Sequence, residues 1–189
     1  MTEKHKLARL VKRVQKGDSN AFGRIYDRYY DSVYAYVLHQ VGSRTDAEDI
    51  TAGVFLDALE RIESFSWRGA GFEAWLFRIA RHDVLDYFRW RRRRQHDVAL
   101  DGTKHPLAAA RVADPAEAAC EKSYLLQAIS NLSEEQQQVI LLKLVADLSN
   151  QQIGEVLSKS EGAVKALRYR ALLSLKQVLD GWEGRVDDV

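Results

Sequence analysis

The stretch that decides the fold is SNQQIGEVLSKSEGAVKAL, from Ser149 to Leu167. Two apolar runs at helical spacing flank a break at Ser158, and Gly154 lies midway along the first run. Helices that cross closely need a small residue at the crossing, and three or four residues join the helices of a helix-turn-helix. The stretch therefore predicts a helix-turn-helix. Four apolar residues are expected to point inward: Ile153, Leu157, Val164 and Leu167.

The second helix of this pair carries polar and basic residues on its other face. Recognition helices use such a face in the major groove, and a helix N-terminus offers free N–H groups to a phosphate. The predicted contacts to duplex DNA are Ser160, Glu161, Lys165, Arg168, Tyr169 and Arg170. A plain helical hairpin with a solvated basic face is the alternative that this pattern leaves open.

Helical periodicity also fills the rest of the chain, apart from a segment rich in small residues between Gln95 and Asp114. Thr45 with Glu48, Ser133 with Gln136, and Ser149 with Gln152 have the spacing of helix capping boxes. Asp114-Pro115 restarts a helix, predicted over residues 116–130, because Pro favours the first helical position. The sequence thus predicts an all-α protein of two small helical domains joined by a flexible linker, with a C-terminal helix-turn-helix.

The composition excludes several classes of protein. No apolar run approaches the length of a transmembrane helix, which is roughly 20 residues. The single cysteine, Cys120, cannot form an internal disulfide, so we expect a cytoplasmic protein. The five histidines are scattered, and neither a metal-binding cluster nor a glycine-rich phosphate loop is present. We therefore expect no catalytic residues, no cofactor, no metal, no membrane insertion and no enzyme activity.

The net charge of +1 hides two basic blocks. Residues 78–94 hold seven Arg against two Asp, and residues 159–176 hold five Lys or Arg against one Glu. Aromatic residues accompany the first block, and cations with flat rings together bind single-stranded nucleic acid. The predicted contacts there are Phe65, Trp67, Arg68, Arg78, Arg81, Trp90 and Arg91. A solvated helix end with core aromatics is the alternative for this block.

Four motifs in the chain resemble the extracytoplasmic-function (ECF) sigma factors, members of the sigma-70 family of bacterial RNA polymerase subunits. Residues 65–81, FSWRGAGFEAWLFRIAR, are similar to region 2 of that family, and DAEDIT at 46–51 with Val54-Phe55 resembles its core-binding segment. Residues 132–142, LSEEQQQVILL, and the helix-turn-helix itself resemble region 4. The resemblance spans about residues 18–178.

The resemblance implies that different segments of the chain have different binding partners. Residues 1–94 would form a region 2-like domain that binds core polymerase and melted −10 DNA. Residues 95–114 would be the linker, and residues 115–189 a region 4-like domain that binds the −35 element. The implied contacts to the polymerase core are Asp46, Glu48, Asp49, Ile50, Val54 and Phe55. The implied partners are the β′ clamp and β flap of RNA polymerase, promoter DNA, and an anti-sigma protein as a candidate inhibitor.

Two other functions compete with a promoter-opening sigma factor. A helix-turn-helix regulator would bind duplex DNA without polymerase, and its N-terminal half would need no aromatic residues among arginines. A sigma-like interaction module would bind polymerase or a regulator without opening DNA. Binding to core polymerase would distinguish a sigma factor from the first alternative. Promoter melting would distinguish it from the second.

Overall fold

The chain divides into two units, residues 1–112 and 113–189. The computed structural model describes residues 3–67, 69, 71–100, 128–129 and 131–186, with backbone alone at 95–100 and 178–186. All regular structure within these ranges is helical, which confirms the all-α, two-domain prediction. None of the described helices combines the length and apolarity needed to cross a bilayer.

The described residues of the N-terminal unit form four α-helices and one short 3-10 turn. They are α1 (Glu3–Val14), α2 (Ser19–Val41), α3 (Arg44–Arg61), the turn Ile62–Ser64, and α4 (Phe72–Leu100). Helix α2 is central, because it packs against α1, α3 and α4. The core between them is aliphatic and aromatic: Tyr36 is fully buried and meets Phe77 edge to face at 5.6 Å between ring centroids.

The C-terminal unit is built on one long helix. Helix α7 (Glu161–Val186) packs against both α5 (Glu134–Leu144) and α6 (Asn150–Leu157). Residues 128–129 are also helical. Their side chains join a buried cluster with the long helix, formed by Ala128, Ile129, Leu132, Ile140, Ala171 and Leu175.

The helix ends follow the side-chain caps, with one correction to the sequence prediction. The boxes Ser133–Gln136 and Ser149–Gln152 are both present. The predicted box at Thr45 is wrong, because α3 begins at Arg44 and Ser43 is its N-cap. Gly42, at φ 71°, turns the chain so that the Ser43 hydroxyl accepts a hydrogen bond from the Asp46 N–H. Ser43 thus takes the capping role that the sequence pattern gave to Thr45, two positions later.

The region around the predicted linker is described in part. The backbone of α4 remains helical to Leu100, beyond the end at Arg94 that the loss of periodicity suggested. Residues 101–114, and most of the helix predicted over 116–130, lie outside the described residues.

Candidate nucleic-acid interfaces

The turn of the helix-turn-helix depends on a close backbone approach at Gly154. A Cβ atom there would lie 2.6 Å from the carbonyl oxygen of Lys159, nearer than real Cβ contacts come. The Lys159 N–H donates to the Gly154 carbonyl at 2.8 Å, and Ser158 adopts a left-handed conformation at φ 55°. The small residue predicted from sequence is therefore required by the backbone of the turn itself.

Packing and exposure alternate along the first turns of α7. All four residues predicted to point inward are buried, including Val164 at 0% and Leu167 at 7% exposure. Tyr169 is 65% exposed. The other predicted contacts that are exposed are Ser160, Glu161, Lys165 and Arg170. The structure thus brings five of the six predicted contacts to solvent on α7 and its N-cap residue.

The sixth residue, Arg168, is half-buried and tied to the preceding helix. Its guanidinium donates to the Asn150 side-chain oxygen at 3.1 Å. Lys165 forms an exposed ion pair with Glu161 at 2.8 Å. The Ser160 hydroxyl accepts from the Ala163 N–H at 3.2 Å and so caps α7. The helix N-terminus, its cap and the cations form one surface suited to a phosphate backbone.

A loop with an aromatic cluster precedes α4. We call residues 65–71 the aromatic loop. Phe65 contacts Trp67 edge to face at 5.2 Å, and it also contacts Phe72 and Trp75 at 5.5 and 5.1 Å. Phe65 is 8% exposed, whereas Trp67 is 41% exposed. Phe65, predicted as a DNA contact, therefore packs within the cluster, and Trp67 offers the accessible ring of the pair.

The first turn of α4 is tied to α2 by a hydrogen bond that the sequence did not predict. The Tyr29 hydroxyl donates to the Glu73 carboxylate at 3.0 Å. Burial, with the nearby Glu73 charge, raises the pKa of Tyr29 above its usual value. Tyr29 therefore keeps its proton at neutral pH and continues to donate. This bond fixes the end of the aromatic loop.

The predicted single-strand contacts do not form one site. Phe72 and Trp90 are separated by 18 positions along α4. A helix of that length extends about 27 Å. Arg78 is exposed and Arg81 half-buried in the intervening turns, and Arg68 lies outside the described residues. Trp67 with the first turns of α4 thus forms one zone, and Trp90 with Arg91 forms another.

The second zone reaches the N-terminus of α3. The Tyr87 hydroxyl donates to the Asp46 carboxylate at 2.8 Å, and Arg91 donates to the Tyr87 hydroxyl at 3.2 Å. Partial burial and the Asp46 hydrogen bond raise the pKa of Tyr87. Trp90 is 48% exposed, with the Arg94 guanidinium 4.8 Å from its ring centre. This arginine–tryptophan pair offers a flat, cationic face.

Helix α3 presents an acidic and apolar surface. Glu48 and Asp49 are exposed, and Ile50 and Asp46 are half-buried. The predicted polymerase contacts Val54 and Phe55 are buried, at 0% and 3% exposure. The Phe55 ring packs against Tyr26 on α2 at 4.7 Å between centroids, so it holds the two helices together.

Two leucines on α3 that were not among the predicted contacts are exposed. Leu56 is 57% exposed and Leu59 is 42% exposed. Beside this helix, Tyr26, Tyr30 and Tyr34 of α2 form a ladder with centroid distances of 5.0 and 5.9 Å. We call Glu48, Asp49, Leu56, Leu59 and these tyrosines the α2–α3 face. Exposed apolar side chains rimmed by polar residues mark many protein-interaction sites.

The chain is similar to known proteins over nearly its whole length. Family models for sigma-70 region 2 and sigma-70 region 4 match residues 25–94 and 122–175. The chain is 38% identical to the ECF RNA polymerase sigma factor BldN of Streptomyces coelicolor, covering 92% of this chain and 66% of that protein. It is 32% identical to the ECF RNA polymerase sigma factor SigW of Bacillus subtilis, covering 89% and 94%.

Solved structures share the fold. The sigma factor RpoE of Bartonella quintana, solved in complex with the anti-sigma factor NepR, superposes with a TM-score of 0.69 at 23% identity. That match covers 84% of this chain and 96% of the other. CnrH, solved in complex with the cytosolic domain of CnrY, gives a TM-score of 0.68 at 22% identity, covering 91% and 96%.

Proposed function

Since the chain belongs to the ECF-type RNA polymerase sigma factors of the sigma-70 family, we propose a division of its promoter and polymerase contacts among the surfaces described above. The observation that carries this division is that one chain presents two different exposed surfaces, each with features that suit nucleic acid. One is an exposed aromatic ring beside a basic helix, and the other is a capped recognition helix. A regulator of duplex DNA alone would need only the second.

The aromatic loop with the first turns of α4 binds the melted −10 strand. A base freed from the duplex stacks on the exposed ring of Trp67, while Arg78 and Arg81 lie near the strand's phosphates. Arg68, which follows Trp67 in the sequence, belongs to the same proposed set. Phe65 packs against the Trp67 ring and supports it. The more distant pair Trp90–Arg91 contacts DNA at a separate point, about 27 Å away along α4.

The helix-turn-helix reads the −35 element. The N-terminus of α7 enters the major groove, and Lys165, Tyr169 and Arg170 extend from its exposed side. Arg168 supports the recognition helix through Asn150 while it remains within reach of a phosphate. The C-terminal unit also binds the β flap of the polymerase.

The α2–α3 face binds the β′ clamp of core polymerase. Its exposed leucines would be buried in the complex, and Glu48 and Asp49 suit a basic partner. In this assignment Val54 and Phe55 act indirectly, because they hold α3 against α2. An anti-sigma protein that covers these surfaces would keep the factor inactive. The working domain limits are 1–94 and 115–189, with the linker between them.

Two substitutions test the two halves of this assignment separately. Leu56→Asp places a charge on the α2–α3 face and should abolish comigration with core polymerase in size-exclusion chromatography. Asn20→Asp, which adds the same charge at an exposed position in the first turn of α2, is the control and should comigrate normally. Normal comigration of the Leu56→Asp protein would show that the α2–α3 face does not contact the polymerase.

The second substitution is Trp67→Ala. It should leave comigration unchanged and weaken binding of a single-stranded −10 oligonucleotide by about 1–3 kcal/mol, the contribution of one stacked base. Fluorescence anisotropy of labelled oligonucleotide with the polymerase holoenzyme measures this. Unchanged affinity would refute the role assigned to the aromatic loop.

A further inference from the structure

Gln15 joins the turn between α1 and α2 to the base of the aromatic loop. Its side-chain Nε2 donates to the carbonyl oxygens of Ile62 and Phe65, at 2.9 Å each. These bonds link positions that are 47 and 50 residues apart in the chain. The two carbonyls bracket the 3-10 turn that leads into the loop. One amide thus holds both ends of that turn.

The turn that carries Gln15 is itself well held. Gly17 adopts φ 89°, and its N–H donates to the Val14 carbonyl at 2.8 Å. Asp18 pairs with Arg13 at 2.6 Å and accepts the Ala21 N–H at 3.1 Å, so it caps α2. Gln15 is only half-buried, and its backbone N–H completes a helical bond to Val11 at 2.9 Å. The amide therefore projects from a fixed base.

The position of Phe65 determines the position of Trp67. The Phe65 ring is enclosed by Phe72 and Trp75, and the Trp67 ring meets it at an interplanar angle of 81°. Gln15 holds the Phe65 backbone at the start of the loop, and the Tyr29–Glu73 bond holds the first turn of α4 after it. The exposed ring is thus presented by a loop that is tied at both ends.

We propose that Gln15 is a positioning residue for promoter melting: it orients the aromatic loop so that Trp67 is ready to receive an unpaired base of the −10 strand. This inference rests on the proposed function of that loop. A side chain with two N–H donors on one atom can serve both carbonyls at once. An ordered loop binds more tightly because less conformational freedom is lost on binding.

The test compares Gln15→Glu with Gln15→Leu in the full-length protein bound to core polymerase. An ionised Glu keeps the shape but donates no hydrogen bond, and it places negative charge beside two carbonyl oxygens. Leu keeps similar bulk and removes both donors. Gln40→Leu is the matched control, because the buried Nε2 of Gln40 has no hydrogen-bond partner among the described residues.

Three quantities are measured for each variant: affinity for a single-stranded −10 oligonucleotide, affinity for a −35 duplex, and comigration with core polymerase. We expect both Gln15 variants to lose about tenfold in −10 affinity, as the loss of two hydrogen bonds implies. Binding to the −35 duplex and to core polymerase should stay unchanged. The Gln40→Leu protein should match the wild type in all three.

The outcomes separate this inference from the proposed function. If Trp67→Ala weakens −10 binding and both Gln15 variants bind normally, the loop acts in melting but Gln15 does not position it. If Trp67→Ala has no effect, the proposed function of the loop itself is wrong. A parallel loss of −10 binding and core binding in the Gln15 variants would show a general effect on the fold and would overturn a positioning role.

Discussion

In α7, buried Val164 and Leu167 alternate with exposed Lys165 and Tyr169 along one helix, whereas in the aromatic loop a buried and an exposed ring pack directly against each other. In the helix, the helical period separates packing from recognition. In the loop no period exists, and Phe65 supports the ring that Trp67 exposes. The recognition helix can therefore vary its contacts independently of its core, while the loop cannot.

The largest expected effect is on the packing member of the loop pair. Phe65→Ala should lower the free energy of unfolding of the N-terminal unit by about 3–5 kcal/mol, because it empties the centre of an aromatic cluster. Trp67→Ala should cost far less stability, since much of its ring already faces solvent. Urea denaturation of both variants measures the difference. Equal losses would mean that the two rings share one packing role.

Gly154→Ala tests the backbone contact in the helix-turn-helix. The added Cβ would collide with the Lys159 carbonyl. We therefore expect a loss of about 1–3 kcal/mol in the stability of the C-terminal unit. Gly162→Ala on α7 is the control, because a Cβ there meets nothing within 4 Å. Thermal unfolding compares the two. A Gly154→Ala protein as stable as the control would show that the turn relaxes easily.

Removing a helix cap should lower stability by a smaller amount. The effect can be compared between a cap that the structure shows and one that only the sequence suggested. Ser149→Ala removes the side chain that accepts the Gln152 N–H at 3.2 Å. The loss of this cap should cost about 1 kcal/mol. Thr45→Ala should cost almost nothing, because α3 is capped by Ser43 instead. Chemical denaturation measures the free energy of unfolding of each variant. A substantial loss of stability in Thr45→Ala would show that Thr45 caps α3, as the sequence suggested.

The smallest expected effect concerns the salt dependence of −35 binding. Lys165→Ala should lower the slope of log affinity against log salt concentration by about one, as expected when one phosphate contact is lost. Lys143→Ala is a matched control, because Lys143 pairs with Asp147 at the same 2.8 Å that separates Lys165 from Glu161. An identical slope in both variants would place α7 elsewhere on the DNA.

The sequence was most informative where one periodic element determines the environment of every residue. Gly154 and the inward face of α7 follow from helical spacing, and the structure confirms them. On α3 the same spacing was less decisive, because Val54 and Phe55 belong to a recognisable motif yet pack inward, and Leu56 and Leu59 remain exposed. A motif identifies the helix that binds but does not say which side faces the partner.

The contacts that hold the aromatic loop could not be predicted from sequence. Gln15 and Phe65 are brought together by the packing of the N-terminal unit, across 50 positions of chain. No local pattern marks a glutamine that donates to two distant carbonyls. The tyrosine ladder shows the opposite case, because the four-residue spacing of Tyr26, Tyr30 and Tyr34 is enough to indicate a stripe along one side of a helix.

Transcription from genomic fragments with core polymerase and the purified chain tests most directly whether this chain directs the polymerase to promoters and opens them. We predict start sites that appear only when the chain is added, with unpaired thymines at their −10 elements in permanganate footprints. Trp67→Ala should bind core polymerase but lose the unpaired thymines. Comigration of the wild-type chain without any start site or melted DNA would contradict the account and favour a polymerase-binding module that does not open DNA.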